Sequence, residues 1–217
     1  MIEKLNLTNE QEKIIKKVGE IGAENATIAL SKLTGREVTL KVTDAQAISM
    51  EEIPNIIEMV EDTIFSAYTP ILGILSGSMM ILTPRTSGYM LIDMLNGNPP
   101  NTTKYLDRMG ESALEETQNI IGNAYLNAMN DFMGTMLIPA VPRVASIYKN
   151  DVNALIRSRI KTSTDYVVTI KTDFTIENVT GIFILLLAME SLDPMMKALT
   201  ERIGGGIMKF NRREVKK

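Results

Sequence analysis

The sequence predicts an α+β fold: an antiparallel sheet covered by long helices, with one layout, α-β-α-β-β-α, occurring twice in a pseudo-twofold duplication. Three observations carry this. Two long stretches of helical periodicity end at Gly35 and Gly134, at equivalent points of the two halves. Each is followed by segments of strand character in the same order. Late in each half, S-G-S-M-M-I-L-T-P lies over T-G-I-F-I-L-L-L-A, with Gly77 over Gly181. Asn98-Pro99-Pro100-Asn101 is the clearest break between them. The 217 residues are thus expected to form a single domain, 1–217, of two repeats, 9–97 and 102–210.

In order, Thr8 or Asn9 caps the first helix, with Glu12 near its positive end. Ile14, Ile15, Val18, Ile21, Ile28 and Leu33 trace its apolar stripe, and Thr34-Gly35 closes it. Glu37–Ile48 alternates apolar and polar residues and predicts a strand. A short helix is expected in Glu51–Val60, then strands over Asp62–Tyr68 and Leu72–Leu82. Pro84 opens a helix that Asn96-Gly97 closes. The second half predicts a helix over Thr102–Met133, a strand over Thr135–Tyr148 and a short helix after Asn150-Asp151. Strands over Asp165–Thr175 and Val179–Ala188 follow. A last helix starts at Asp193-Pro194 and ends before Gly204-Gly205-Gly206, and the tail N-R-R-E-V-K-K reads as a solvated end. Three antiparallel strands per half cannot bury their faces alone, so both halves are expected to share one sheet system.

Composition narrows the chemistry. Apolar content is 45% and net charge −3, so the chain has ordinary globular composition and no nucleic-acid footprint. It has no Cys and no His, which removes disulfides, thiolate chemistry, the commonest general base and the commonest metal ligand. Catalysis must then use carboxylate, amide, hydroxyl or Lys groups, or borrow chemistry from a partner. The N-terminus lacks a signal-peptide pattern and no apolar run is long enough for a bilayer span, so a cytoplasmic soluble protein without membrane insertion is expected. Gly204-Gly205-Gly206 is not a P-loop, because no Lys-Ser/Thr pair follows at the right distance. The fifteen Met residues read mainly as core.

On the second long helix, Ser112, Glu116 and Asn119 stand at i, i+4 and i+7 and share one face within about 60° of arc. An apolar stripe is expected beside them through Met109, Ala113, Ile120, Ala124 and Ala128. Spacing alone also suits a plain solvated helix face. The wider pattern is more specific: Ser112-x3-Glu116-x2-Asn119, twenty-two residues, then Pro142. It resembles the Asp/Ser-x3-Glu-x2-Asn-x22-Pro motif of the CheC/CheX/FliY phosphatases, chemotaxis proteins that dephosphorylate the response regulator CheY. N-A-Y-L-N-A-M and L-I-P-A-V-P resemble the CheC branch, and the duplicated layout does too.

The resemblance implies a phosphatase acting on the aspartyl-phosphate of CheY, with Asn119 orienting the attacking water and Glu116 pairing with the partner's Lys. Ser112 would hydrogen-bond near the site or be helix surface, and Pro142 would be architectural. No metal is expected on this chain; the Mg2+ would belong to phosphorylated CheY. In the first half the motif is lost: Lys13, Lys17, Glu20 and Thr43 stand at the four positions, although I-G-A-E-N-A-T-I-A-L-S-K-L keeps the family look. A single site in the second repeat follows. The alternatives are a non-enzymatic scaffold of the flagellar or archaellar switch, or a regulator acting through the deamidase CheD. The duplication supplies its own twofold partner, so a monomer is expected.

Overall fold

The first long helix is held at both ends by residues of the expected types. In the computed structural model, which describes residues 7–160 and 162–198, α1 spans Asn9–Thr34. Thr8 and Gln11 exchange side-chain and backbone hydrogen bonds in a capping box. Gly35 closes the helix at φ 64°, a left-handed conformation that suits glycine. Strand β1 (Val38–Ser49) follows, then a 3-10 turn at Met50–Glu52 and the short α2 (Ile53–Ile56). β2 (Thr63–Gly73) and β3 (Gly77–Pro84) form a hairpin, and α3 (Arg85–Leu95) starts at Pro84. The second half opens with α4 (Arg108–Met133), closed by Gly134 at φ 68°. It continues through β4 (Leu137–Pro139), β5 (Arg143–Tyr148), α5 (Val152–Arg157), β6 (Tyr166–Ile176) and β7 (Val179–Ala188). Residues 192–198 are helical.

Among the described residues, seven strands make one antiparallel sheet in the order β1-β6-β7-β3-β2-β4, with β5 also on β2. β7 is buried along nearly its whole length, which explains its continuous apolar run. The sheet is covered on both faces. On one, α1, α3 and α4 pack over Phe65, Met79, Ile170, Phe183 and Leu185. On the other, the short helices α2 and α5 place Ile53, Ile56, Val152 and Ile156 over Ile48, Ile64, Met80 and Ile184. Exchanging β1 with β5, β2 with β6 and β3 with β7 turns the order β1-β6-β7-β3-β2-β5 into its own reverse.

Four expected boundaries move. The β2–β3 turn lies at residues 74–76 rather than near Pro70, because Gly73 takes φ 136° and ends the strand. Pro70 stays inside β2, where its neighbour on one side changes from β5 to β4 and Ala140 donates its N–H to the Pro70 carbonyl. The Glu51–Val60 helix is shorter, a 3-10 turn and four α residues. The Thr135–Tyr148 strand is split into β4 and β5, with a break at 140–142. The helix expected from Thr102 begins at Arg108, capped by the Asp107 side chain, which accepts from Gly110 N–H. Thr102 and Thr103 are held instead by the buried Asp93 carboxylate. Gly204-Gly205-Gly206 and the tail lie outside the described residues.

Candidate functional site

The helix α4 buries Gly110, Leu114, Thr117, Gln118, Ile121, Tyr125, Leu126 and Met129. Residues one step round from these, Ser112 and Glu116, are exposed, and Asn119 is half-buried. The structure therefore brings the three predicted side chains into one solvent-facing row on a helix anchored at both ends. None of the three side chains forms a hydrogen bond or ion pair with a described residue; the Asn119 backbone carbonyl accepts from Asn123 Nδ2 at 2.7 Å. Among the described residues, a carboxylate and a carboxamide one turn apart have no side-chain partner. The carboxamide can donate and accept at once, and the carboxylate can accept from a cation.

The apolar stripe expected beside this row is different in detail. Ala113 and Ala128 are buried and Ala124 is half-buried, but Met109 is 64% exposed and Ile120 only half-buried. The core-facing arc falls one residue further round, through Leu114, Ile121 and Tyr125, because α4 packs against both α1 and the sheet. Met109 thus contributes exposed apolar surface on the turn that carries Ser112.

Pro142 is not in the row. It lies buried in the break between β4 and β5. The fixed distance from Asn119 to Pro142 passes through a residue that the motif does not mention. Asn130 donates from Nδ2 to the Leu137 carbonyl at 2.8 Å and accepts from Leu137 N–H at 2.7 Å, and its own carbonyl accepts from Gly134 and Thr135. It ties the end of α4 to the start of β4. The available signal was an Asn four residues before a helix-ending Gly, which propensity alone reads as an ordinary C-terminal turn.

In the first half, Lys13 and Lys17 are exposed and Glu20 is half-buried, the same exposures as Ser112, Glu116 and Asn119. The chemistry is different. Lys17 Nζ lies 3.8 Å from Glu20 Oε2, an exposed pair whose charges answer each other within the helix. Thr43, at the position matching Pro142, falls in the β1 irregularity where the β6 register shifts between Val42 and Asp44. Both halves therefore interrupt the strand at this point.

Among the described residues, no group of three or more Asp or Glu side chains could hold a metal ion. A cleft of about 480 Å³ is lined by Glu58, Glu61, Lys171, Asp173, Thr175 and Thr180 among others, and α4 contributes nothing to it. Lys171, almost buried there, lies 3.7 Å from Glu58 and 3.8 Å from Asp173. No helix among the described residues is long and apolar enough to cross a membrane.

Comparison with known proteins adds the identity of the frame. The chain is 32% identical to the CheY-P phosphatase CheC of Bacillus subtilis (strain 168) over 141 residues, 64% of this chain and 68% of that protein. This chain belongs to the CheC family. No family model matches it. The CheC fold extends to solved structures at low identity. Thermotoga maritima FliY is 18% identical with a TM-score of 0.75, covering 91% of this chain and 99% of that one. The CheX–CheY–BeF3–Mg2+ complex of Borrelia burgdorferi contains a chain 15% identical, TM-score 0.53, covering 78% of this CheC-family chain and 96% of that one. The FliM middle domain of Vibrio alginolyticus is 13% identical with a TM-score of 0.61, covering 86% of this chain and 99% of that one. These likenesses show a mixed α/β fold with an antiparallel sheet.

Proposed function

We propose that this CheC-family chain is a cytoplasmic phosphatase of two-component signalling that hydrolyses the aspartyl-phosphate of a CheY-type response regulator, from one site on α4. The observation that carries this is the unpaired Glu116–Asn119 row on an anchored helix. Its support from relatives is the B. subtilis protein named as a CheY-P phosphatase and the CheX chain crystallised with CheY, BeF3 and Mg2+. The helix inserts Asn119 beside the acyl phosphate. Its carboxamide holds a water in line with phosphorus; the water's oxygen forms the new P–O bond as the bond to the aspartyl oxygen breaks, releasing the carboxylate. Positioning supplies most of the gain in such a transfer, so no general base is needed from a chain without His. Glu116 pairs with the regulator's Lys and sets the register. The Mg2+ belongs to the regulator, where it neutralises phosphoryl charge.

The symmetric strand order and matching exposures favour reading 9–97 and 102–210 as repeats, the first having lost the chemistry. Lys17 there meets the regulator's Lys with like charge and opposes docking. Ser112 borders the site, and Pro142 with Asn130 sets the strand beside the helix. The rival is a binding-only protein, favoured by the FliM neighbours that share the fold; regulation through CheD belongs with it.

The deciding assay follows acyl-phosphate loss from phosphorylated CheY with Mg2+ present. Asn119→Ala is expected to lower turnover on the order of 100-fold with little change in affinity. Glu116→Ala should weaken docking about tenfold. Lys17→Ala should leave turnover near that of the unaltered chain. Full activity in Asn119→Ala, or no hydrolysis by the unaltered chain, hands the function to the binding-only reading.

A further inference from the structure

On the sheet face opposite α4, two cations meet without a counter-ion among the described residues. Arg143 on β5 is the register partner of Tyr68 on β2, and both point to the face covered by α5. The guanidinium of Arg159, just beyond α5, lies 5.9 Å from the centre of the Tyr68 ring. Both arginines are exposed and neither forms an ion pair with a described residue. Two adjoining hollows, about 240 and 380 Å³, share Tyr68, Arg143 and Arg159 in their walls, and among the described residues no Asp or Glu lines either. Two like charges at one hollow, in a chain of net charge −3, are an arrangement that an anion would relieve.

The floor adds a second observation. Ser66 is 1% exposed, lines the smaller hollow, and its Oγ has no hydrogen-bond partner among the described residues. The Tyr68 hydroxyl is also buried, beside Ser78 but without a well-formed bond. Burial raises the Tyr68 phenol above its ordinary value, against a lowering pull from Ser78 and Arg159, so it remains a protonated donor at neutral pH. Buried hydroxyls without partners are costly unless something meets them. The other walls, Leu155 and Val141, are apolar.

We propose that this cleft binds a small organic oxyanion, a carboxylate or a phosphate ester with an apolar body. Arg143 and Arg159 grip the anion, the buried hydroxyls of Ser66 and Tyr68 donate from below, and the apolar part lies against Leu155 and Val141. Guanidinium groups suit both headgroups because they can donate two parallel hydrogen bonds. The site is independent of α4 and of the hydrolysis proposed there.

The test is calorimetric titration of the full chain with phenyl phosphate, with benzoate, and with uncharged benzamide. Saturable binding of an oxyanion, with a dissociation constant of about 1 mM or tighter, is expected, and none of benzamide. The two charged arms decide between a phosphate and a carboxylate. Arg143→Gln and Arg159→Gln should each weaken binding about tenfold; both side chains are exposed, so folding should survive, as circular dichroism will show. Asn119→Ala should bind like the unaltered chain, and amide shifts on titration should map to Ser66, Tyr68 and Leu155. Absence of saturation by both oxyanions, equal binding of benzamide, or undiminished binding by the double arginine variant overturns the proposal.

Discussion

A single residue on α1 decides how closely the two long helices can pack. A Cβ at Gly22 would lie 2.6 Å from three ring atoms of Tyr125, which is fully buried and packed on Phe183 with ring centres 4.8 Å apart. The ring has nowhere to go. Gly22→Ala should therefore destabilise by roughly 1–2 kcal/mol, overpacking less the gain in helix propensity. Gly122, one turn beyond Asn119, is different: its Cβ would meet Met79 Cε at 2.9 Å, the far end of a flexible side chain. Gly122→Ala should stay within about 0.5 kcal/mol of the parent or gain stability. Urea unfolding midpoints compare the two, and equal midpoints would contradict the packing account. The same scale explains the polar row. Ser112, Glu116 and Asn119 were legible because their spacing is helical and their side chains point away from the core. Asn130 and Asp93 were not, because an Asn or Asp near a helix end has many local uses, and only the fold shows which backbone it meets.

At the scale of the element, the segment before α4 is arranged by a residue of the preceding helix. Asp93, 1% exposed, accepts from Thr102 N–H at 2.8 Å, Thr103 N–H at 2.9 Å and Thr103 Oγ1 at 2.6 Å. Burial pulls its pKa up, but the hydrogen bonds from Thr103, Thr102 and Asn98 outweigh it and hold the carboxyl below its ordinary value of 3.8. A carboxylate with a depressed folded pKa contributes stability that is complete above 3.8 and fades as pH falls from there through the folded value. Asp93→Ala should cost roughly 1–3 kcal/mol at pH 7. It should also remove part of the stability loss below pH 3.8 that the shift implies for the unaltered chain. Thermal melts of both at pH 7 and pH 3 check this; a variant with an unchanged melting temperature at pH 7 would show that the clamp contributes nothing. Because the clamp takes Thr102 and Thr103, α4 starts six residues later than its periodicity suggests.

At the scale of the whole molecule, the halves are interleaved rather than side by side. β1 of the first half pairs with β6 of the second along eleven register pairs, and β3 pairs with β7. α1 and α4 pack on the same sheet face, with Gly22 of one against Tyr125 of the other. Each half alone would expose a row of unpaired strand groups and one side of the shared core. Fragments 1–97 and 98–217, expressed separately, should therefore show no cooperative melt alone and regain strand and helix signals when mixed. A cooperative transition in either isolated fragment would refute the interleaved account.

The α+β class, the two long helices, their closing glycines and the polar row followed from the sequence alone, because periodicity, capping and glycine conformation are local physics. CheC-family membership was legible for the same reason, through four residues at fixed spacing on and after one helix. The strand order, the partition of the sheet between two cores, the β2–β3 turn and the split at Pro142 were decided only by tertiary structure. Such features depend on which group elsewhere in the fold supplies a hydrogen-bond partner: the Pro70 carbonyl for Ala140, the Asn130 side chain for Leu137, the Asp93 carboxylate for Thr102 and Thr103. So does the meeting of Arg143 and Arg159 over Tyr68, since a cation's neighbours are set by the register of β2 with β5 and by the seat of α5, not by its place in the chain.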